Sequence, residues 1–463
     1  MNKIYNSFSI LKGPIKEISG HPISFFLLIL GAAQAVLTFY PGSMSFDSDQ
    51  QFQQALSGTY EDWHPPIMAW LWHNLLWIKK GPQPMLFFHV GMFWLGLFLI
   101  WYRFAQKKRY AYLIVPLLGF LPSVISMMGV IWKDIGLGSS LVLVVGLLVF
   151  NHRYKKLSAF LILILLFYGT AVRHNGIAAT LPFYILCPYL FNLGFHKQRK
   201  WAALYPLLTG VSLVLLTIVF IGLWESYALN AKKTYQYQYV FFHDLSFIGE
   251  KIKLEMIPEA FRTKNYSPLT VNNVLKDLRT SGGFIFPVNA PFRPIRDIVE
   301  INKLTLIWLK AIWNYFPYYF QLRTQMYKSL HSIGFGQCRI NHYHIPLVVG
   351  GGISWVQPWR NFLNSTTIHI ASNTPLFSGW FYLLLALLGL ISTLLFKGEF
   401  RVQAILCFIS SVLYSIAYFP SVGTCDFRFI WPISILSCLG WVLVISNFKY
   451  KKCFDKLKKI RQT

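Results

Sequence analysis

Residues 376–396 read LFSGWFYLLLALLGLISTLLF, an uncharged run that ends against Lys397. A helix needs about 20 mostly apolar residues to cross a hydrocarbon layer, so this stretch predicts a spanning helix. The same template repeats near 22–40, 84–103, 110–131, 135–151, 157–172, 176–192, 201–223, 402–420 and 428–447. These ten runs predict an all-α integral membrane protein. A further apolar stretch, Pro65 to Ile78, is short and opens on two prolines, and it reads as re-entrant or interfacial. Composition agrees, because 55% of the 463 residues are hydrophobic and only 13% charged, a balance that soluble domains rarely show. The first run lacks a small-residue cleavage signal and reads as a retained helix.

The formal charge of +26 does not point to nucleic acid, since the basic residues punctuate apolar runs and form no basic arm or face. They cluster in alternate connections: Lys3, Lys12 and Lys16; Arg103, Lys107, Lys108 and Arg109; Arg153, Lys155 and Lys156; Lys197, Arg199 and Lys200; Lys397 and Arg401; and Lys449 to Arg461. Cytoplasmic loops are enriched in Lys and Arg, so these connections and both termini are expected in the cytoplasm. The predicted divisions are a tail at 1–21, seven helices over 22–223 with a first external loop at 41–83, an external loop domain at 224–375, three helices over 376–447 and a basic tail at 448–463. Within the loop domain, Leu304 to Leu330 mixes aromatic and basic residues. It suits a helix lying among lipid headgroups, or a packed helix of a small external domain. Six cysteines show no paired or metal-ligand spacing, so no disulfide framework or zinc site is expected.

On this topology the polar residues of note collect at external helix ends. The first loop carries Asp47, Asp49, Glu61, Asp62 and His64, with no Lys or Arg between Ile23 and Ile78. Later turns supply Lys133 and Asp134, then Arg173, His174 and Asn175, then Asp426 and Arg428. Ionisable groups at the edge of apolar spans are costly and face a cavity or a partner. The plain alternatives are local ion pairs, such as Lys133 with Asp134 or Asp426 with Arg428, and a solvated first loop in which Asp49 caps a helix through Gln54. One carboxylate facing several cations suits transfer from a glycosyl phosphate lipid. The departing phosphate needs cationic stabilisation more than protonation, and the incoming group needs positioning and a proton acceptor. A glycoside hydrolase would need a second carboxyl group as acid.

At these residues the chain resembles the GT-C superfamily of membrane glycosyltransferases, in particular a bacterial branch. The motifs that carry the likeness are Pro41-Gly42, Phe46-Asp47-Ser48, Trp63-His64-Pro65-Pro66, Trp132-Lys133-Asp134 and Arg173-His174-Asn175. The aromatic tract from Trp313 through Pro317, Tyr319 and Arg323 follows, and then Asp426, Arg428 and Pro432. The resemblance spans nearly the whole chain in order. It implies a multi-pass protein of the cell (inner) membrane, a polyprenyl-phosphate sugar donor, a lipid or glycan acceptor and inversion at the anomeric carbon. It also implies a catalytic Asp in the first external loop. On that carry-over the base is Asp47, with Asp49, an extra acid beside it, as the alternative. Lys133, Arg173, His174 and Arg428 are then expected at the donor phosphate, with Asp62, His64, Asp134, Asn175 and Asp426 in support. No cofactor is expected. A divalent metal, used by some relatives, would have only Asp47, Asp49 and Asp134 to hold it. Competing expectations are a lipid-glycan flippase or transporter, which favours midplane charges and repeated halves, and an O-antigen ligase or polymerase, which relies on Arg and His of a large external loop.

Overall fold

A computed structural model describes residues 17–150, 155–190, 204–264, 266–267, 291–333, 353–395, 398–423 and 425–446. Among the described residues the protein is all-helical, with no strand. The first helix is α1 (Pro22–Phe39), and the segment after it folds into α2 (Phe46–Ser57) and α3 (Ile67–Leu75). Then come α4 (Gln83–Gln106), α5 (Lys133–Phe150), α6 (Lys155–Ala171), α7 (Gly176–Leu190) and α8 (Leu204–Leu223). The loop domain contributes α9 (Gln238–Ile252), α10 (Ile298–Asn314), α11 (Phe316–Leu330) and α12 (Gln357–Asn373), and the chain closes with α13 (Gly379–Leu395), α14 (Arg401–Ala417) and α15 (Trp431–Ile445).

Among the described residues, four helices are long and apolar enough to cross a membrane: Pro22–Phe39, Gln83–Gln106, Lys133–Phe150 and Leu204–Ala228. Six further apolar helices are shorter, at 10–17 residues. Helix α5 is the axis of the bundle, with 89% of its apolar window buried, whereas the window in Leu204–Ala228 is 11% buried and lies at the periphery. Small residues let α5 come close to α4. A Cβ on Gly146 would lie 2.6 Å from the Gly96 carbonyl oxygen, so bulk at this crossing would force the helices apart.

The bundle has two chemically distinct ends. At one, Glu399 binds Arg103 at 3.2 Å, Lys107 at 3.4 Å and Arg109 at 3.0 Å, and Arg109 donates to the Ser446 carbonyl at 2.7 Å. Two of the basic connections grouped by sequence, 103–109 and 397–401, thus share an end. Lys3, Lys12, Lys16, Arg153, Lys197, Arg199, Lys200, Lys397 and the tail from Lys449 lie outside the described residues. The opposite end carries the first loop and the loop domain.

Three expectations need correction. The apolar run 110–131 is not one continuous helix. It is two 3-10 turns (Tyr110–Leu113, Pro116–Phe120) and one helical turn (Pro122–Ile125), because Pro116 and Pro122 lack the amide hydrogens that a helix interior requires. It still runs from the Glu399 end, where Arg109 sits, to the opposite end, where the Ile131 amide donates to the Ser43 carbonyl at 3.0 Å. Leu304 to Leu330 is likewise divided, since α10 ends at Asn314 and Pro317 opens α11. Its inner face packs with α9 in a second core built on Phe242, Leu245, Ile301 and Leu304, while Leu306, Trp313 and Phe320 stay exposed. Finally, Cys425 is disulfide-bonded, against the expectation of no disulfide; Cys187 and Cys407 are buried and free.

The stretch Pro65 to Ile78 is the nine-residue α3, about 14 Å long and too short to cross a bilayer. Its face of Ile67, Met68 and Trp72 is buried, and Trp72 donates from Nε1 to the Gly81 carbonyl at 2.9 Å.

Candidate functional site

Asp47 sits in the first turn of α2. Ser45, not Asp49, caps that helix, accepting from the Ser48 amide. Trp132 Nε1 donates to Ser45 Oγ at 2.7 Å, and Ser48 Oγ donates to the Ile131 carbonyl at 2.7 Å. A parallel bridge joins Ser43 to Val130. These bonds lock the start of α2 to the segment leading into α5, bringing Asp47 beside Lys133. The turn before α2 depends on Gly42, whose φ of +129° suits glycine. A Cβ there would also meet Ile131 Cδ1 at 2.7 Å.

The cations come from three other places. Lys133 opens α5, Arg173 lies in the turn between α6 and α7, and Arg428 lies in the 3-10 turn Phe427–Phe429 before α15. Arg428 Nη1 donates to Asp47 Oδ2 at 2.7 Å, and its Nε lies 3.1 Å from Asp426 Oδ2. Asp426 also caps its own turn, accepting from the Arg428 amide at 3.0 Å. Arg173 Nη1 donates to Asp134 Oδ2 at 2.7 Å. Phe429 lies between the two guanidiniums, with its ring centroid 4.7 Å from Arg173 and 5.0 Å from Arg428, a contact that steadies both. Lys133 Nζ donates to His64 Nδ1. That leaves the neutral imidazole's hydrogen on Nε2, 3.8 Å from Asp47 Oδ1.

Three carboxylates, Asp47, Asp134 and Asp426, therefore face three cations. Burial alone would raise the Asp47 carboxyl, but the charges of Arg428 and Lys133 outweigh it and hold the group well below the usual carboxylate range. Burial, reinforced by Lys133, pushes His64 well below its ordinary value, so it is neutral near pH 7. Arg173 Nε and Asp134 Oδ1 are buried with no hydrogen-bond partner among the described residues.

These groups border one cavity of about 470 Å³, lined by Asp47, His64, Lys133, Arg173, His174, Asn175 and Arg428. Small-molecule sites commonly span roughly 300–1,000 Å³. Asp134 and Asp426 stand behind Arg173 and Arg428 as their ion-pair partners. Asp62 is a staple outside the lining, accepting from the Thr234 amide at 2.6 Å and from its hydroxyl at 2.7 Å. Asp49 does not reach the cavity. The first loop is helical here, so two residues of helix turn Asp49 well away from Asp47, and it is exposed, accepting from Gln53 at 3.3 Å. Asp47 and Asp134 are each committed to a guanidinium. Among the described residues no group of three or more His, Cys, Asp or Glu is arranged to hold a metal.

No family model, curated protein or solved structure matches the chain. The superfamily resemblance thus rests on the motifs quoted above.

The aromatic and amide part of the cavity lining was not anticipated. Trp63, Gln236, Tyr237, Tyr239, Val240 and His243 line it, and five of the six come from the loop domain. The run TYQYQYVFFHD, Thr234 to Asp244, carried the available signal: aromatic and amide residues alternate and then pass into α9.

Proposed function

We propose that the chain is a multi-pass membrane glycosyltransferase that moves a sugar from a polyprenyl phosphate to an acceptor at the non-cytoplasmic face. The observation carrying this reading is that Asp47, Lys133, Arg173 and Arg428, from four separate segments, border one cavity at the end of the bundle away from the Glu399 cluster. The exposed apolar faces of α1 and α8 are suited to lipid, and the Cys425 disulfide suits an oxidising compartment for the turn that bears Arg428.

In the proposed reaction the acceptor oxygen attacks the anomeric carbon, the bond from that carbon to the phosphate oxygen breaks, and the acceptor proton passes to Asp47. Arg173, Arg428 and Lys133 stabilise the departing polyprenyl phosphate. An ion-paired carboxylate is a weak base, so phosphate oxygens must draw Arg428 away before Asp47 can accept a proton. Lys133 is well placed to meet the phosphate first, because it donates to the neutral His64 and not to a carboxylate.

The test is sugar transfer from a radiolabelled polyprenyl-phosphate sugar in reconstituted vesicles. Asp47→Asn and Arg173→Ala should each reduce transfer by about a hundredfold or more while remaining inserted. Full activity in both variants would overturn the assignment, and loss of lipid translocation with transfer intact would favour a flippase.

A further inference from the structure

Part of the cavity wall, beside the charges, is built from aromatic and amide groups. Trp63 and Tyr239 meet edge to face with ring centroids 5.3 Å apart, and Gln236 Nε2 donates to His174 Nε2 at 2.6 Å. Trp63 and Gln236 are distant in sequence, but two staples hold their segments together. Glu61 and Lys232 form a parallel bridge in which the Lys232 amide donates to the Tyr60 carbonyl and the Asp62 amide to the Lys232 carbonyl, each at 3.0 Å. Asp62 then holds Thr234. The wall is thereby tied to the loop that carries His64.

Aromatic rings and a neutral amide offer little to a phosphate. They match a saccharide well: the C–H face of a pyranose packs against an aromatic ring, and its hydroxyls exchange hydrogen bonds with a planar amide and an imidazole. We propose that Trp63, Tyr239 and Gln236 form a saccharide subsite that seats a pyranose ring beside the phosphate-binding cations. This rests on the glycosyltransferase reading and deepens it. His174, which holds Gln236, directly follows Arg173 in the chain. A ring on this wall is therefore adjacent to a phosphate on Arg173, as the two halves of one donor would be.

The experiment measures binding to the full chain in lipid nanodiscs of two probes: decaprenyl phosphate, and decaprenyl phosphate carrying a β-linked glucose, mannose or galactose. The wild-type protein should hold at least one sugar-bearing lipid roughly tenfold or more tightly than the bare lipid. Trp63→Leu and Gln236→Ala should bring the two affinities to near parity without weakening the bare lipid, whereas Arg173→Ala should weaken both. Trp63→Phe, which keeps an aromatic face, should retain most of the preference. That rescue separates ring stacking from a folding defect, and an unchanged thermal midpoint of each variant is the control.

If the wild type binds the bare lipid but shows no preference for any sugar-bearing one, the subsite is overturned and the phosphate site stands. If it binds neither lipid, the glycosyltransferase reading fails and the subsite with it. Competition by free methyl glycosides distinguishes the source of the ring. Variants that keep the donor preference but lose this competition would assign the subsite to an acceptor sugar.

Discussion

Arg428 touches Asp47 through Nη1 and Asp426 through Nε, so a change there acts on the acid–base state of the cavity. With Arg428 present, Asp47 stays ionised well below the ordinary aspartate value of about 3.9, and it contributes no acid limb to kcat/KM across the usual assay range. In Arg428→Gln the burial that raises Asp47 is no longer countered by the guanidinium. The acid limb of kcat/KM should then move upward in pH, and the plateau should fall by about a hundredfold. A pH–rate profile checks this, and a limb that stays in place would separate Asp47 from the proton transfer. Gly42→Ala places a Cβ against Ile131 at a positive φ. It should cost about 1–3 kcal/mol, read as a lowered midpoint of thermal unfolding in detergent. The charged half of the site was legible because Asp47, Lys133, Arg173 and Arg428 interrupt apolar sequence, where charge is costly. Gln236 and Tyr239 were not, because an amide or a tyrosine in a loop domain carries no such penalty.

Among the elements, α9 and α11 are joined by a pair with no solvent exposure, Arg323 and Asp244. Asp244 also accepts from Trp308 Nε1 at 2.8 Å, and Arg323 Nη1 donates to the Val422 carbonyl at 3.0 Å. Val422 and Val240 both line the cavity, so the pair ties the loop domain to the turn between α14 and α15. Removing one partner strands a buried charge, and Arg323→Met should cost about 3–5 kcal/mol. The double variant Arg323→Met with Asp244→Leu should recover much of that loss, as denaturant unfolding of the two proteins would show. The division between α10 and α11, and the broken passage 110–131, follow from Pro317, Pro116 and Pro122. Counting apolar residues registers the run and not the continuity of its backbone hydrogen bonds, so the sequence reading placed one helix in each. The helices over the other nine apolar runs were legible to within about three residues, because hydropathy marks where each run starts and stops.

For the whole molecule, the Glu399 cluster and the cavity mark opposite ends of the bundle, and the proposed topology assigns them to opposite sides of a membrane. Asp49 and Lys108 are exposed, one at each end. A membrane-impermeant maleimide added to intact cells should therefore label Asp49→Cys and spare Lys108→Cys until the membrane is opened. Labelling of both from one side would undo the topology.

The passage through 110–131 bears on how such a chain is built. A continuous helix satisfies its own amides and carbonyls as it leaves the ribosome, whereas this segment also draws on a neighbour synthesised far later. Trp431, at the start of the final helix, donates its indole hydrogen to the Val124 carbonyl at 3.3 Å. On the membrane reading, the third crossing is an incomplete rod that leans in lipid on α15 as one of its neighbours. Settling of that segment in lipid would then wait on a helix translated 307 residues later.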